Sequence, residues 1–274
     1  RAFTLPSLGI LPGGTYTSRI YGAYRYRTYN GSLGYQDVYS AVGASLENTG
    51  ALKPWGKISH NYFWRASFGN YQGNTYNSSN TVSQTLTDST RASFFGAFNS
   101  SLPIWTGKAL DADNPKSTQN TPVPVTPGLT LNTTTSTSLD YYGDGSNQNL
   151  VSFSGGPTVT LGHFTKNFFD YTQLTITGGG TLQQGQSPFS FDTNVDLANL
   201  GIGLTQQLFG PLLFVGGLGL NVDPSSPYYG YTTNAYGELR WQRRGYEFAI
   251  YYSPYQQVGG IRVKLNDFNF NGTG

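Results

Sequence analysis

Residues 197–222 read LANLGIGLTQQLFGPLLFVGGLGLNV and carry no charged side chain. A stretch of this length could cross a membrane as a helix, which needs about 20 consecutive apolar residues. Gly210 and Pro211 stand in its middle, however, and this pair favours a tight turn over a continuous helix. The stretch therefore predicts two strands, at about 195–209 and 212–222, joined by a short turn.

Strict alternation of apolar and polar side chains indicates further strands. In three segments the apolar and aromatic residues fall on one face of the expected strand. They are Tyr246, Phe248, Ile250 and Tyr252 in the first, Leu239 and Trp241 in the second, and Ile261, Val263 and Leu265 in the third. Near the start, Tyr16, Ile20, Tyr24 and Tyr26 oppose three arginines. The pattern predicts about twelve antiparallel strands. Their expected ranges are 15–29, 35–47, 58–71, 85–105, 128–142, 150–166, 172–183, 195–209, 212–222, 232–243, 246–253 and 261–270.

Composition favours a membrane β-barrel over a water-soluble fold. Only 11% of the 274 residues are charged, while 15% are aromatic; an average soluble domain is about 25% charged. A soluble β-sandwich or solenoid would also show alternating apolar and polar side chains, but its polar face would be exposed to water and its core would consist of aliphatic side chains. We expect an all-β antiparallel transmembrane barrel, forming one domain over residues 1–274 and possibly part of a larger barrel. The chain begins with Arg1, so we expect that any signal peptide has been removed.

The expected connections alternate in length, as they do in outer-membrane barrels. Short turns fall at Gly210-Pro211, at Arg244-Gly245 and near Phe169, with longer loops between them. This arrangement places the C-terminus on the periplasmic side. Two features break the alternation: a Pro-rich segment at about 106–127 on the short-turn side, and the tight-turn signal Asn30-Gly31 on the other side. Either a strand is miscounted there or the Pro-rich segment is an insertion.

The sequence predicts no enzyme. The two histidines, His60 and His163, are far apart in sequence, no Gly-x-Ser-x-Gly motif occurs, and Cys is absent. Both histidines are expected on strands with ordinary hydrogen bonds. No spacing indicates a metal site or a cofactor, and Asp111-Ala112-Asp113-Asn114 lacks the other positions of a calcium loop. The net charge of +2, without a run of basic residues, argues against nucleic acid.

The polar faces of the expected strands carry a row of charges. These residues are Arg19, Arg25, Arg27, Glu238, Arg240, Glu247, Arg262 and Lys264. They are expected to point into the lumen, because a charge near the middle of the lipid-facing surface costs about 2–4 kcal/mol. Two interpretations remain open: a cationic wall that attracts lipid headgroups or anionic solutes, and a charge network that holds strands together.

Four runs in the second half of the chain resemble the C-terminal region of a cyanobacterial-type outer-membrane family similar to LptD, the barrel that inserts lipopolysaccharide. They are HFTKNFFDYTQLTITGGGTLQQGQSPFSFD (163–192), LTQQLFGPL (204–212), YGELRWQRRGYEFAIYYSPYQQVGG (236–260) and VKLNDFNFNGTG (263–274). The resemblance implies an outer-membrane barrel that receives amphipathic lipid from a periplasmic or lipoprotein partner. It also implies that lipid leaves through a seam between the first and last strands.

The functional hypothesis is therefore lipid or lipopolysaccharide transport or assembly at the outer membrane, with lipid as the ligand. On this hypothesis strand 15–29 adjoins the last strand when the barrel closes. The alternative is a passive porin-like channel, in which the same arginines select small anionic solutes. A secreted adhesive or structural β-protein is the third class.

Overall fold

The computed structural model describes residues 2–4, 10–11, 14–76, 82–111 and 113–266. Because good helix formers are scarce and β-branched and aromatic residues are common, this part of the chain forms strands. The strands are β1 (Ala2–Thr4), β2 (Ile10–Leu11), β3 (Gly14–Asn30), β4 (Gly34–Trp55), β5 (Ile58–Tyr76), β6 (Val82–Thr106), β7 (Gly128–Tyr142), β8 (Asn147–Leu161), β9 (Thr172–Gly185), β10 (Ala198–Phe209), β11 (Leu212–Asn221), β12 (Thr232–Gln242), β13 (Tyr246–Ser253) and β14 (Val258–Leu265). The described residues contain no helix long and apolar enough to cross a membrane.

The strands form one antiparallel sheet in which β3 to β14 each pair with the next strand along the chain. The all-β antiparallel class is confirmed, and the twelve expected strands correspond to β3–β14. Residues 197–222 divide as expected, because Gly210 adopts a positive φ of 49° at the turn between β10 and β11. The last expected strand, 261–270, is shifted: β14 begins at Val258, and residues 267–274 lie outside the described residues.

The two edges of the sheet differ from the expectation. Within the described residues β14 pairs only with β13. The outer edge of β3 pairs with β1 along residues 19–21 and with β2 along residues 14 and 15. The expectation that strand 15–29 adjoins the last strand was therefore wrong for the first half of β3. Residues 22–30 of that edge have no ladder partner in the described part of the chain.

The sheet curls around a connection that lies on one of its faces. Residues 186–197, which join β9 to β10, place Phe189 against Val38 of β4, Tyr71 of β5 and Tyr142 of β7. Asn30, at the end of β3, donates hydrogen bonds to carbonyl oxygens of the same connection. We call residues 186–197 the plug loop, and the face of the sheet that it contacts the inner face.

The outer face is apolar. Strand β9 shows the alternation clearly: Leu174 and Ile176 are exposed, while Thr175 and Thr177 point inward and are half-buried. Exposed apolar side chains continue this surface on other strands: Ile20, Val42, Phe68, Phe94, Val151, Phe153, Ile202, Leu218, Leu239, Phe248, Ile250, Ile261 and Val263. An exposed apolar surface of this extent is unusual for a monomeric soluble protein.

The connections define two rims. Rim A carries residues 56–57, 107–127, 162–171, 210–211 and 243–245, and rim B carries residues 31–33, 143–146, the plug loop, 222–231 and 254–257. Both exceptions to the alternation of loop lengths are present. The Pro-rich segment is an insertion between β6 and β7, and Gly31–Leu33 forms a tight 3-10 turn between β3 and β4. From β3 to β14 the number of strands is as expected, whereas the short strands β1 and β2 were not predicted.

Candidate functional site: the charged inner face

Two strands at the start of the sheet present an ion pair on the inner face. Nη2 of Arg19 on β3 lies 3.3 Å from Oε2 of Glu47 on β4. Two residues further along β3, the Tyr21 ring lies across the sheet on Gly43 and Gly69. A Cβ atom built at either glycine would lie 2.5 or 2.7 Å from the Tyr21 hydroxyl oxygen and within 2.6 Å of a backbone carbonyl oxygen on the neighbouring strand, so only glycine fits there.

A second group of charges lies at the other end of the sheet. The buried carboxylate of Glu238 on β12 accepts hydrogen bonds from Arg240, at 2.6 Å, and from Arg262 of β14, at 2.8 Å. Ala249 of β13 pairs with both arginines in the ladder and is fully buried between them. This network therefore connects the terminal strand to β12 across β13.

The next inner-face position along β13 and β14 carries one more pair, because Nζ of Lys264 lies 3.7 Å from Oε1 of Glu247. The structure thus brings together five of the predicted row, and it places Arg19 in a separate group on β3. The five are Glu238, Arg240, Glu247, Arg262 and Lys264. A cavity of about 600 Å³ adjoins this network near the β14 edge, lined by Tyr236 and Tyr251 as well as both arginines.

Arg25 and Arg27 lie elsewhere. Arg25 has a φ of 46°, so the regular alternation of faces is interrupted at that residue. Beyond it, Val38 and its ladder partner Tyr26 are on the inner face. Arg27 therefore faces outward, where its Nε donates to Asp37 at 2.8 Å. Arg25 lies over the ring of Tyr24, an exposed outer residue, at 5.5 Å from the ring centroid.

Two inner-face arginines, Arg65 of β5 and Arg91 of β6, are absent from the predicted row. Arg65 pairs with Glu47 in the ladder, and Arg91 is opposite Gly69. The signal that could have found them is the same period of two: Arg65, Ser67 and Gly69 alternate with Trp64, Ala66 and Phe68.

The plug loop is fixed by charge as well as by Phe189. Nη1 of Arg91 lies 2.6 Å from Oδ1 of Asp192, and the Tyr142 hydroxyl donates to Oδ2 of Asp192 at 2.6 Å. Asp196, near the end of the loop, accepts hydrogen bonds from Ser32 and from Asn221. Because these partners belong to β6, β7, β11 and the β3–β4 turn, the loop spans the interior at rim B.

The Pro-rich insertion fills the interior at rim A. Nδ2 of Asn120 donates to the Phe164 carbonyl at 3.2 Å, and Arg243 donates to Oδ1 of Asn120 at 3.2 Å. Val125 packs on a cluster formed by the buried side chains Phe164, Leu213 and Val215. The insertion therefore folds onto the inner face of β11 rather than extending as a linker.

Neither histidine lies in a catalytic arrangement. His60 stacks on Phe98 and hydrogen-bonds to Ser100 at 2.8 Å, as expected for a strand residue. His163 lies in the β8–β9 connection, not on a strand as expected, and contacts the Val125 carbonyl at 3.0 Å. Within the described residues no three His, Asp or Glu side chains are grouped as metal ligands.

Asp170 closes the β8–β9 connection on rim A. Burial raises the pKa of Asp170, but hydrogen bonds from the backbone amides of Thr165 and Lys166 outweigh it, so the pKa lies below its usual value. The two amides lie 2.8 and 3.1 Å from Oδ2 of Asp170. The carboxylate thus acts as a structural acceptor for this turn.

Comparison with known proteins gives one match. A family model described as "Protein of unknown function (DUF3769)" matches residues 8–269. No curated protein and no solved structure matches the chain. The functional argument therefore rests on the geometry of the sheet and its inner face.

Proposed function

Since the chain belongs to the DUF3769 family, whose function is unknown, we propose from its geometry that it is an LptD-like outer-membrane β-barrel. Its role would be in the transport or assembly of lipid or lipopolysaccharide. The observation that carries the proposal is the β14 edge, which has no strand partner beyond β13 among the described residues and stands beside a charged inner face and an apolar outer face. Amphipathic lipid needs both kinds of surface.

The outer face supports a membrane location. Ile176 is paired with Ile202 in the ladder, and Ile202 with Leu218, so the apolar band is continuous from strand to strand. A lipid-facing barrel wall has this alternation of apolar-out and polar-in residues. The C-terminus then belongs on the periplasmic side with the insertion, as the loop pattern predicts.

The open edge supports lateral passage. Strand β14 runs from rim B toward rim A, and residues 22–30 of β3 run the opposite way and end at rim B. The two free segments are therefore suited in direction and length to pair, and the hydroxyl of Tyr35 already donates to the Gln256 carbonyl between their ends. An unpaired edge in hydrocarbon is costly. The positive φ of Arg25 interrupts the regular strand inside the free segment, so we expect this seam to be weak.

The charges at the seam fit an anionic headgroup. Arg262 and Lys264 lie on the inner face of β14, while Ile261 and Val263 are exposed on its outer face. A lipid at this edge would place its headgroup beside the two cations and the 600 Å³ cavity, and its acyl chains beside the two aliphatic side chains. No covalent step is required.

A passive channel is less well supported, because segments occupy the interior at both rims. The plug loop spans rim B, and the insertion packs on Leu213 and Val215 at rim A. We expect the wild-type chain in planar bilayers to give no steady conductance. A steady, anion-selective current would instead establish the channel.

A disulfide cross-link between β14 and residues 22–30 of β3 tests whether lipid leaves through the seam. The chain contains no Cys, so Thr28→Cys with Val258→Cys introduces the only thiols, one on each free segment. In vesicles containing a fluorescent anionic lipid, we expect oxidation of the pair to stop protein-dependent lipid transfer, and reduction to restore it. The two single-Cys variants are the controls. Unchanged transfer by fully cross-linked protein would overturn the seam.

A further inference from the structure

We propose that the inner face of β3 to β6 carries a binding subsite for a phosphate group, formed by Arg19, Arg65 and Arg91 around Ser45 and Ser67. The subsite uses strands β3 to β6, whereas the other charged network uses β12 to β14. It does not depend on lateral passage, so it goes beyond the function proposed above.

The ladder register builds the floor of the subsite. Arg19, Ser45 and Ser67 are successive partners across β3, β4 and β5, which puts two small hydroxyl side chains beside one arginine in a single row. The adjacent inner-face row toward rim A contains Glu47 and Arg65. The short side chains of Ser45 and Ser67 are therefore bordered on this side by the longer side chains of Glu47 and Arg65.

The row on the rim B side completes the enclosure. Tyr21, Gly43, Gly69 and Arg91 are partners across β3 to β6. Because the two glycines allow the Tyr21 ring to lie across the sheet, its hydroxyl reaches the Tyr71 hydroxyl, with which it shares a hydrogen bond of 2.5 Å. Tyr21, Tyr71 and Arg91 line a cavity of about 230 Å³ together with the residues of the two other rows.

The cavity offers an anion one exposed arginine that has no ion pair among the described residues, Arg65. Three arginines and Glu47 line the cavity. Arg65 is exposed and makes no ion pair or hydrogen bond within the described part of the chain. Arg19 bonds Glu47, but the guanidinium has five N–H donors and only part of them face that carboxylate. Arg91 is already neutralised by Asp192, and Oδ1 of Asp140 lies 3.9 Å from its Nε. The cation available to a ligand is thus chiefly Arg65, assisted by Arg19.

The chemistry points to phosphate. Planar guanidinium groups bind phosphate oxygens through paired N–H donors, and serine and tyrosine hydroxyls add further donors. Typical small-molecule pockets measure roughly 300–1,000 Å³, so a 230 Å³ cavity suits one phosphate group rather than a whole ligand. That group could be inorganic phosphate or the phosphate of a lipid headgroup.

The experiment titrates the full chain in neutral detergent micelles, by calorimetry, in two arms. One arm uses inorganic phosphate, and the other uses mixed micelles of phosphatidic acid, with phosphatidylcholine as the reference lipid. We expect saturable binding in at least one arm, and that arm identifies the source of the phosphate. Because the site is partly exposed, binding should weaken with added sodium chloride.

Variants assign the binding to the subsite. Arg65→Gln should weaken it roughly tenfold, the usual effect of losing a hydrogen bond to a charged group. Arg27→Gln removes one positive charge from the outer face and should leave affinity unchanged. Arg65→Lys keeps the charge but loses the paired donors, and should give an intermediate affinity. No binding in either arm, or equal losses in Arg65→Gln and Arg27→Gln, would overturn the subsite. Neither result bears on the seam, which the cysteine pair tests.

Discussion

Asp192 of the plug loop and Arg91 of β6 form an ion pair in which Oδ1 and Nη1 are 2.6 Å apart. The two residues are distant in sequence, and they meet because the sheet curls. Both side chains are largely buried, with 13% and 19% of their surface exposed for Arg91 and Asp192. A buried pair is costly to break from one side. Without Asp192, Arg91 would keep only the longer contact with Asp140, whose Oδ1 lies 3.9 Å from Nε.

Replacing Asp192 with Asn should therefore destabilise the protein. We expect a loss of about 3 kcal/mol in the free energy of unfolding, the lower end for breaking a buried pair, measured by urea titration in micelles. The matched control is Asp37→Asn, which removes a carboxylate from the exposed pair with Arg27. That change should cost less than about 1 kcal/mol. Equal effects of the two substitutions would contradict the role of Asp192 in holding the plug loop.

Neighbouring residues on β9 can test the membrane location. Ile176 faces outward and Thr177 inward. If the outer face meets lipid, Ile176→Arg should cost about 2–4 kcal/mol near the middle of the bilayer, while Thr177→Arg should cost much less. The folding equilibrium in phospholipid vesicles gives both values. A similar small effect of the two arginines would show that the outer face of β9 is not in lipid.

Glu238 should control the mobility of the terminal strand, since its carboxylate holds Arg262 of β14. Glu238→Gln leaves Arg240 and Arg262 with a neutral partner, and we expect faster amide hydrogen exchange in Val258–Leu265 with no change in β5. Glu247→Gln is the control, because its partner Lys264 is 3.7 Å away and mostly exposed. If β14 exchanges at the wild-type rate in Glu238→Gln, the network does not stabilise that edge.

Asp170 gives the β8–β9 connection a dependence on pH. Its pKa is below the usual value in the folded protein, so its stabilising effect is fully present above the pKa of the unfolded chain, about 3.9. The effect is lost as the pH falls through the lower, folded pKa. Asp170→Asn should therefore lower stability at pH 7 by roughly 1 kcal/mol, and the difference from wild type should shrink toward pH 2. A difference that is constant from pH 7 to pH 2 would contradict this role.

Much of the sheet could be predicted from the sequence because its strands follow simple alternation and its turns carry glycine or proline. The range 128–142 and the range 246–253 agree with β7 and β13. Alternation identifies faces only while the backbone stays regular. The positive φ of Arg25 shifts the side chains that follow it, which is why Arg27 could not be assigned to the correct face by counting.

The plug loop and its contacts could not be predicted in the same way. The partners of Asp192 and Asp196 are distant in sequence, and they meet only when the sheet curls. The pairing of β1 and β2 with β3 is also invisible to periodicity, because these strands have only three and two residues. The network on β12–β14 was accessible because its members lie on adjacent strands, where register and alternation together determine neighbours.

The place of the Tyr21 ring beside the proposed phosphate subsite depends on the absence of side chains at Gly43 and Gly69. A methyl group at either glycine would lie within 2.7 Å of the Tyr21 hydroxyl oxygen, so the ring would have to move. Replacing either glycine would therefore reshape the cavity that Tyr21 lines without changing any charge.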